Sequence, residues 1–450
     1  MRSQRAGRGF QGWRVVVPVC LLWGAGLGCG SGKDAPEPGA PGKEAPSGTS
    51  TPTPESTAQP SEAKEAAVWG ILEGGTQDDT GTGVAVGRGG DVVMVVSQTP
   101  RQDGDRAPVA GERLGVVVAR YSPEGKVRWT RVHPRMRLSE LRVAASPGTD
   151  GAVFLSGNAF LYSANFGLGE AQDGFLVRFS EDGMPEWQRR VGQKVWSSSA
   201  DLLGGVLVAG EEWDGEVKDP VLTHFAADGS VRWTRRFTGT EEGTSLRAAA
   251  VAPSGRAVLA GQLVGKLEVD GKSFGDENRK GFVVLEFDEA GKLVWGREVP
   301  GANGRVTSVA VGPEGLVTVA GDFKGLLMWG GTSLGTSGPF VLGVGADGEV
   351  RWLKQPECGD ESREGVSAAV DDAGSVAVVC GDVLTRFDAD GAGQESRTLP
   401  PQDCSSGHCV LSATGIATAP GLGWAVTGWQ RDGAGVAWNQ DAFLRVVTPR

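Results

Sequence analysis

Four cysteines, Cys358, Cys380, Cys404 and Cys409, are the residues of this 450-residue chain whose type and spacing most readily do chemistry. In an exported protein such a set closes two disulfides, with three connectivities open. The rival chemistry is a metal site on Cys404, His408 and Cys409; its four-residue gap suits zinc, but no second ligand pair with such spacing follows. Gly331-Thr332-Ser333-Leu334-Gly335 matches the GxSxG pattern. That pattern needs a strand–turn–helix elbow, and this copy stands in a glycine-rich loop without helical periodicity. Asp270-Gly271-Lys272-Ser273 has the end of a phosphate-binding loop, yet Lys266 stands where the upstream Gly is required. His133, His224 and His408 have no triad-like neighbours, and turns such as Asp388-Ala389-Asp390-Gly391 lack the terminal Glu of a calcium loop. No catalytic residue, metal or cofactor is expected, and an enzyme is the lesser expectation.

The elements that must position these residues repeat. Residues 281–321 read as four short strands, 282–287, 293–299, 305–311 and 316–320, joined by tight Gly-containing turns. One marker is a turn ending in Gly with Trp four residues later: Gly125/Trp129, Gly183/Trp187, Gly229/Trp233, Gly291/Trp295 and Gly348/Trp352. A sixth copy, Asp390-Gly391, has Glu395 in place of the Trp, and Trp69 has a matching strand without a partner before it. A β-branched run ending in Gly marks a second strand, at Gly157, Gly210, Gly261, Gly321, Gly381 and Gly428, with Ser97 in the first copy. With the strands of each unit named a to d and the Trp on d, the folded part opens on a lone d strand, 66–72. It closes on a lone c strand, 442–447.

A ring resolves both loose ends, because the first strand completes the last sheet and no edge is left exposed. The expected fold is all-β: a seven-bladed β-propeller with strand-swapped closure. Each four-stranded unit has two apolar faces it cannot cover alone, so stacking around an axis buries both. Small residues such as Ala248, Ala249, Ala250 and Ala369 are expected on the inner a strands, and the Trp rings between blades.

Phe282-Val283-x-x-x-Phe287-Asp288-x-x-Gly291-x-x-x-Trp295, followed by Val309-Ala310-Val311-x-x-x-Gly315 and Val319-Ala320-Gly321, resembles the bacterial SBBP-type β-propeller repeat, and copies run from 66 to 450. The pattern is also similar, more weakly, to the repeats of quinoprotein-like propellers, including the outer-membrane assembly lipoprotein of that class. Both resemblances imply a fold; neither implies a chemistry.

The N-terminus reads as an address. Arg2, Arg5, Arg8 and Arg14 precede an apolar run, 15–23, too short to span a bilayer comfortably, so 1–28 is expected to be a signal peptide. Gly26-Leu27-Gly28-Cys29 resembles the bacterial lipobox, which implies lipidation at Cys29, and Gly30 by the same resemblance implies sorting to the outer membrane, periplasmic or surface-facing. Residues 29–65 are Pro, Gly, Ser, Thr and Ala with almost no large apolar residue and read as a disordered tether, leaving 66–450 for the propeller. The chain carries a formal charge of −11, and 1–28 holds four Arg and no acid, so the mature part is about −15. Such a balance argues against nucleic acid as a partner.

The a–b and c–d turns of a propeller share one face, and the b–c and d–a connections share the other. The b–c loops, about 100–115, 160–173, 211–218, 262–280, 322–338 and 430–440, carry nearly all insertions, and binding residues gather on such loops. Phe160, Tyr162, Trp213, Trp329, Trp429 and Trp438 are the candidate binding-face residues, with Phe166 beside them; the plainer account is that these rings pin their own loops. Acidic residues gather at Asp360, Glu361 and Glu364 and at Glu241-Glu242. The strand map favours Cys358–Cys380 and Cys404–Cys409 as disulfides. The expected function is a monomeric, non-catalytic binding or scaffold lipoprotein of the cell envelope, with an unidentified protein or polymer partner. The alternatives are a propeller enzyme (a quinoprotein-like oxidoreductase or a lyase) and a purely structural surface protein. Arg and acidic residues converging at the axial mouth would favour the enzyme.

Overall fold

The computed structural model describes residues 67–448 apart from 75–77, 100–114, 149, 239–241, 278, 360–364, 405–406 and 434–438. The side chains of residues 67, 68, 160–163 and 439 also lie outside the description. The leader, Cys29 and the tether therefore fall outside the described residues.

Seven four-stranded antiparallel sheets follow one another along the chain. Their a strands are Asp78–Val86, Ser139–Ala145, Lys194–Ala200, Ser245–Val251, Ala302–Val311, Val366–Val370 and Cys409–Ala419, for blades 1 to 7. Blade 7 takes its outer strand from the start of the folded part: Ala67–Glu73 pairs with Asn439–Val447, Ala67 opposite Val447 and Glu73 opposite Ala442. The ring is closed by the strand swap that the two lone strands required.

The core lies between the blades. Seven apolar clusters each join one blade to the next, as Phe282, Val284 and Val258 of blade 4 join Val306, Val319 and Phe340 of blade 5. Burying both faces of every sheet is the main stabilising term, at roughly 25 cal/mol per Å² of apolar surface.

The Gly/Trp marker proves to be a contact between blades rather than within one. The turn glycines have φ near +75°, the left-handed conformation that closes these hairpins. Each lies under the Trp of the preceding blade: a Cβ built on Gly183 would come 2.7 Å from the Trp129 ring, and one on Gly291 2.7 Å from Trp233. Except at Trp295, the indole N–H then donates to a carbonyl of the same turn, as Trp129 to Glu181 at 2.8 Å and Trp187 to Ala227 at 2.8 Å. Arginine two residues after the Trp repeats the tie, Arg131 Nε to Gly183 O at 2.7 Å and Arg189 Nε to Gly229 O at 2.9 Å. This also explains Glu395. A Trp there would cover the c–d turn of blade 7, which does not exist, because the c strand ends at Val447 and the d strand begins at Ala67. Arg397 instead donates to the Thr448 carbonyl at 2.8 Å.

Two expectations about the b–c loops are corrected. Residues 160–173 and 211–218 are mostly strand: b and c continue as long hairpins, Val153–Asn165 with Glu170–Phe179 and Val206–Asp214 with Val217–Phe225. Cross-strand pairing such as Trp213 with Lys218 carries the ladder to the tip. The loops 262–280 and 322–338 fold into small hairpins of their own, Leu267–Val269 with Lys272–Phe274 and Met328–Trp329 with Thr332–Ser333. The GxSxG copy forms part of the second hairpin and is not on a helix; the one helical segment among the described residues is the turn Arg88–Gly90.

Candidate functional site: the axial mouth and the blade 3–4 groove

The seven a strands converge on an axial cavity of about 490 Å³, lined by residues from every blade. The expectation of small residues there holds for Ala248 and Ala249, but three arginines, Arg142, Arg247 and Arg305, and Trp196 share the wall. Trp196, Arg247 and Arg305 stand in the halves of their strands nearer the d–a connections, on the loop-bearing side, and Arg142 stands at the midpoint of its strand.

A break in strand pairing puts two of them there. Most a strands carry a β-bulge opposite the Gly-marked part of strand b, with one residue left unpaired: Thr82, Trp196, Arg247, Thr307 and Thr414 in blades 1, 3, 4, 5 and 7. In blades 5 and 7 that residue is a Thr that ties its blade to the next. Thr307 Oγ1 donates to the Val366 carbonyl at 2.5 Å, and Thr414 Oγ1 donates to that of Gly81. Blades 3 and 4 put Trp196 and Arg247 at this position instead.

Those two side chains meet. The Trp196 ring has the Lys194 Nζ 3.6 Å and the Arg247 Cζ 3.8 Å from its centroid, both within cation–π range. Its indole N–H donates to Glu211 Oε1 at 2.9 Å, and the Trp213 indole reaches Glu211 Oε2 at 3.4 Å. Burial pushes the Lys194 ammonium and the Arg247 guanidinium below their ordinary pKa values, and neighbouring Glu140 and Glu211 oppose that shift. Arg247 Nε donates to Ser245 Oγ. Arg305 is held by Asp322, at 3.1 Å through Nε and 2.9 Å through Nη2, and Arg142 lies 3.3 Å from Glu140.

A second cavity of about 640 Å³ runs from Trp213 and Lys218 past Glu211, Glu216 and Glu242 to Ser245. Trp196 and Arg247 line both cavities, so the groove between blades 3 and 4 leads into the axial mouth at these two residues.

Among the sequence-level candidates, Trp213 lines the groove and is 38% exposed. Trp429 is buried in strand b of blade 7 with Arg431 over its ring at 4.5 Å, and Trp329 packs on the blade 4–5 core. Phe166 is buried against His133, ring centroids 4.9 Å apart, and burial followed by Arg131 lowers the His133 pKa. These three rings are set into blade edges. The Phe160 and Tyr162 side chains and Trp438 lie outside the described residues, as do Asp360, Glu361, Glu364 and Glu241; Glu242 lines the groove.

Cys358 is bonded to Cys380 and Cys404 to Cys409. The first bridge ties the connection entering blade 6 to that blade's b strand. The second places both sulfurs of the weighed metal site in a disulfide, with Cys409 Sγ 3.4 Å from Asp432 and His408 presenting its carbonyl to Gly433. His224 is buried on the opposite face, its Nε2 2.9 Å from Asp201 Oδ2. Burial works to raise the Asp201 carboxyl, but His224, the Gly205 amide, Arg232 and the Leu203 amide together hold it below its ordinary value.

Sequence reasoning missed Trp196, Arg247, Lys194, Glu211, Arg142 and Arg305. The available signal was an alignment of the a strands, in which Gly81-Thr82-Gly83, Val306-Thr307-Ser308 and Ala413-Thr414-Gly415 set a rule. Val195-Trp196-Ser197 and Leu246-Arg247-Ala248 break it.

No family model and no curated protein matches the chain. Among solved structures it is similar to a chain of a mitotic checkpoint complex, at 12% identity and TM-score 0.47 over 88% of this chain and 97% of that one. It is also similar to the β-propeller domain of the trilobed protease from Pyrococcus furiosus, described as having an open velcro topology, at 10% identity and TM-score 0.44 over 84% and 94%. A third is an α-L-arabinofuranosidase from Fusarium graminearum, at 8% identity and TM-score 0.42 over 85% and 98%. These likenesses concern fold and carry nothing about ligand or activity. By its own sheets this chain is an all-β protein with seven propeller blades and a strand-swapped seventh.

Proposed function

We propose that this protein is a non-catalytic binding module of the bacterial cell envelope that takes its ligand on the loop-bearing face, where the blade 3–4 groove meets the axial mouth. One observation carries the reading. The bulge position that ties blades together as Thr307 and Thr414 is given to Trp196 and Arg247 in the two blades that flank the groove. The Trp196–Arg247 contact across these two blades can replace the hydrogen bond without adding to it, and a large aromatic and a cation at a cavity mouth are what ligands are held by. The envelope address rests on the Arg-rich leader and the Cys29 lipobox, and outer-membrane anchoring of a SBBP-type lipoprotein is part of the same proposal.

The enzyme alternative draws on the same place, since Arg142, Arg247 and Arg305 share the axial mouth with Glu140. The carboxylates nearby are engaged, however: Asp322 with Arg305, Glu140 with Arg142, Glu211 with two indoles. A general base needs a free lone pair aimed at a substrate proton. Co-sedimentation with purified peptidoglycan sacculi and envelope polysaccharide, with analysis of the supernatant for fragments, tests the reading. Retention without fragments, lost in Trp213→Ala, is expected. Fragments that accumulate in proportion to protein would replace it with the enzyme, and retention untouched by substitution on this face would refute it.

A further inference from the structure

The reading above leaves the ligand's chemistry open, and Arg247 narrows it. Its Nε is occupied by Ser245 Oγ, and its guanidinium lies 3.8 Å from the Trp196 centroid, which restrains the plane of the group. Its two terminal amino groups have no hydrogen-bond or ion-pair partner among the described residues. The three carboxylates that act on it through space, Glu211, Glu140 and Asp322, are bonded to other groups. A half-buried, oriented guanidinium fork with its outer edge unfilled is the geometry that receives a carboxylate or phosphate through two parallel hydrogen bonds. Glu211 and Glu140 act on it through space, but neither lies within hydrogen-bond or ion-pair distance of it, whereas Arg142 and Arg305 beside it are each paired with a carboxylate.

We propose that Arg247 anchors an anion subsite that takes the carboxylate of a ligand whose body lies along the blade 3–4 groove against Trp213. The inference rests on the loop-face reading and deepens it. At the fork itself a singly charged carboxylate is favoured over a phosphate dianion, because Glu211, Glu216 and Glu242 line the same groove and repel a second charge on the bound group. The groove supplies the body's platform: Trp213 is 38% exposed, and Lys218 Nζ lies 5.3 Å from its ring. A saccharide acid has the chemistry for both, a carboxylate for the fork and the C–H face of a sugar ring for the indole. Arg142 and Arg305, whose partners Glu140 and Asp322 are themselves about a third exposed, line the axial cavity beyond Arg247 and can turn toward a second carboxylate of a longer chain.

Titration calorimetry of the full-length protein with galacturonate, trigalacturonate, the neutral trisaccharide maltotriose and inorganic phosphate tests this. Both uronates are expected to bind at least tenfold more tightly than maltotriose or phosphate. Arg247→Gln is expected to weaken them at least tenfold, and Arg247→Lys, which keeps the charge but loses the fork, to recover only part of that. Trp213→Ala is expected to weaken trigalacturonate more than galacturonate. A thermal melt of each variant beside the parent separates lost binding from lost folding. Uronates that bind no better than maltotriose, or not at all, overturn the carboxylate inference, as does undiminished affinity in Arg247→Gln. If maltotriose binds and Trp213→Ala alone removes it, the anion subsite fails while the loop-face reading stands. Binding that survives both substitutions sinks the loop-face reading itself. Phosphate binding tighter than the uronates would assign the fork to a phosphate ligand and overturn the carboxylate.

Discussion

The same backbone position does opposite things on the two sides of this ring. In blades 5 and 7 the bulged residue of strand a is a Thr whose hydroxyl bonds the next blade. In blades 3 and 4 it is Trp196 or Arg247, whose side chains bond each other and line two cavities. Both arrangements join neighbouring blades, but only the second also sets an aromatic ring and a cation at the meeting of two cavities. The difference teaches that a bulge, which frees one residue per strand from pairing, is where this fold can spend a side chain on something other than the fold.

Four predictions sharpen that contrast. The largest effect belongs to a lock shared by both sides, the glycine under each Trp. Gly183→Val combines a branched side chain at φ +74° with a Cβ 2.7 Å from Trp129, and should cost about 3 kcal/mol or more in chemical denaturation. A loss under 1 kcal/mol would mean that the Trp–Gly contact does not hold the ring.

Next comes the seam where blade 7 meets blade 1. Asp79 is 3% exposed, and burial, with Asp441, Asp78 and Glu73 adding to it against a Gln98 hydrogen bond, raises its pKa from 3.8 to about 6. A carboxyl raised in the folded state stabilises the fold fully below its unfolded pKa. That contribution, about 2–3 kcal/mol, is lost as pH rises from roughly 4 through 6. Asp79→Asn should therefore be more stable than the parent at pH 7 and should flatten the decline between pH 4 and 6; an unchanged pH profile would contradict the assignment.

Thr307→Ala removes one inter-blade hydrogen bond and should cost about 1 kcal/mol. The smallest effect is expected at Glu395. Glu395→Trp restores the repeat but meets no turn glycine at the seam, where the c and d strands of blade 7 come from opposite ends of the folded part, so its unfolding free energy should change by less than about 0.5 kcal/mol. A clear gain would show that a Trp finds a partner at the seam.

The fold was legible because its markers are periodic and physical. Glycine at a left-handed turn and Trp four residues on appear in five intact copies, and the two lone strands forced closure. Even the exception at Glu395 was visible, though its cause was not, because the contact it lacks is between blades. The site was far less legible. Alternation along a strand assigns faces with period two, and a bulge inserts a residue that switches the faces midway, so Trp196 and Arg247 read as ordinary strand residues. In the run Ala248-Ala249-Ala250 the first two residues do line the axis, and the run drew attention from the arginine beside it. Of the loop aromatics, Trp213 lines the groove, whereas a ring on a hairpin extension such as Phe166 turns back onto its blade, a difference that spacing along the chain does not show.

The most direct measurement is a reciprocal swap at the bulge, Arg247→Thr beside Thr307→Arg, read as denaturant midpoints under one buffer. In Arg247→Thr the lost cation–π contact and a regained inter-blade hydrogen bond offset each other, so stability within about 0.5 kcal/mol of the parent is predicted. Thr307→Arg should lose at least about 1 kcal/mol. If Arg247→Thr instead falls as far as Thr307→Arg, Arg247 holds the ring together as Thr307 does, and its place at the cavity mouth is structural.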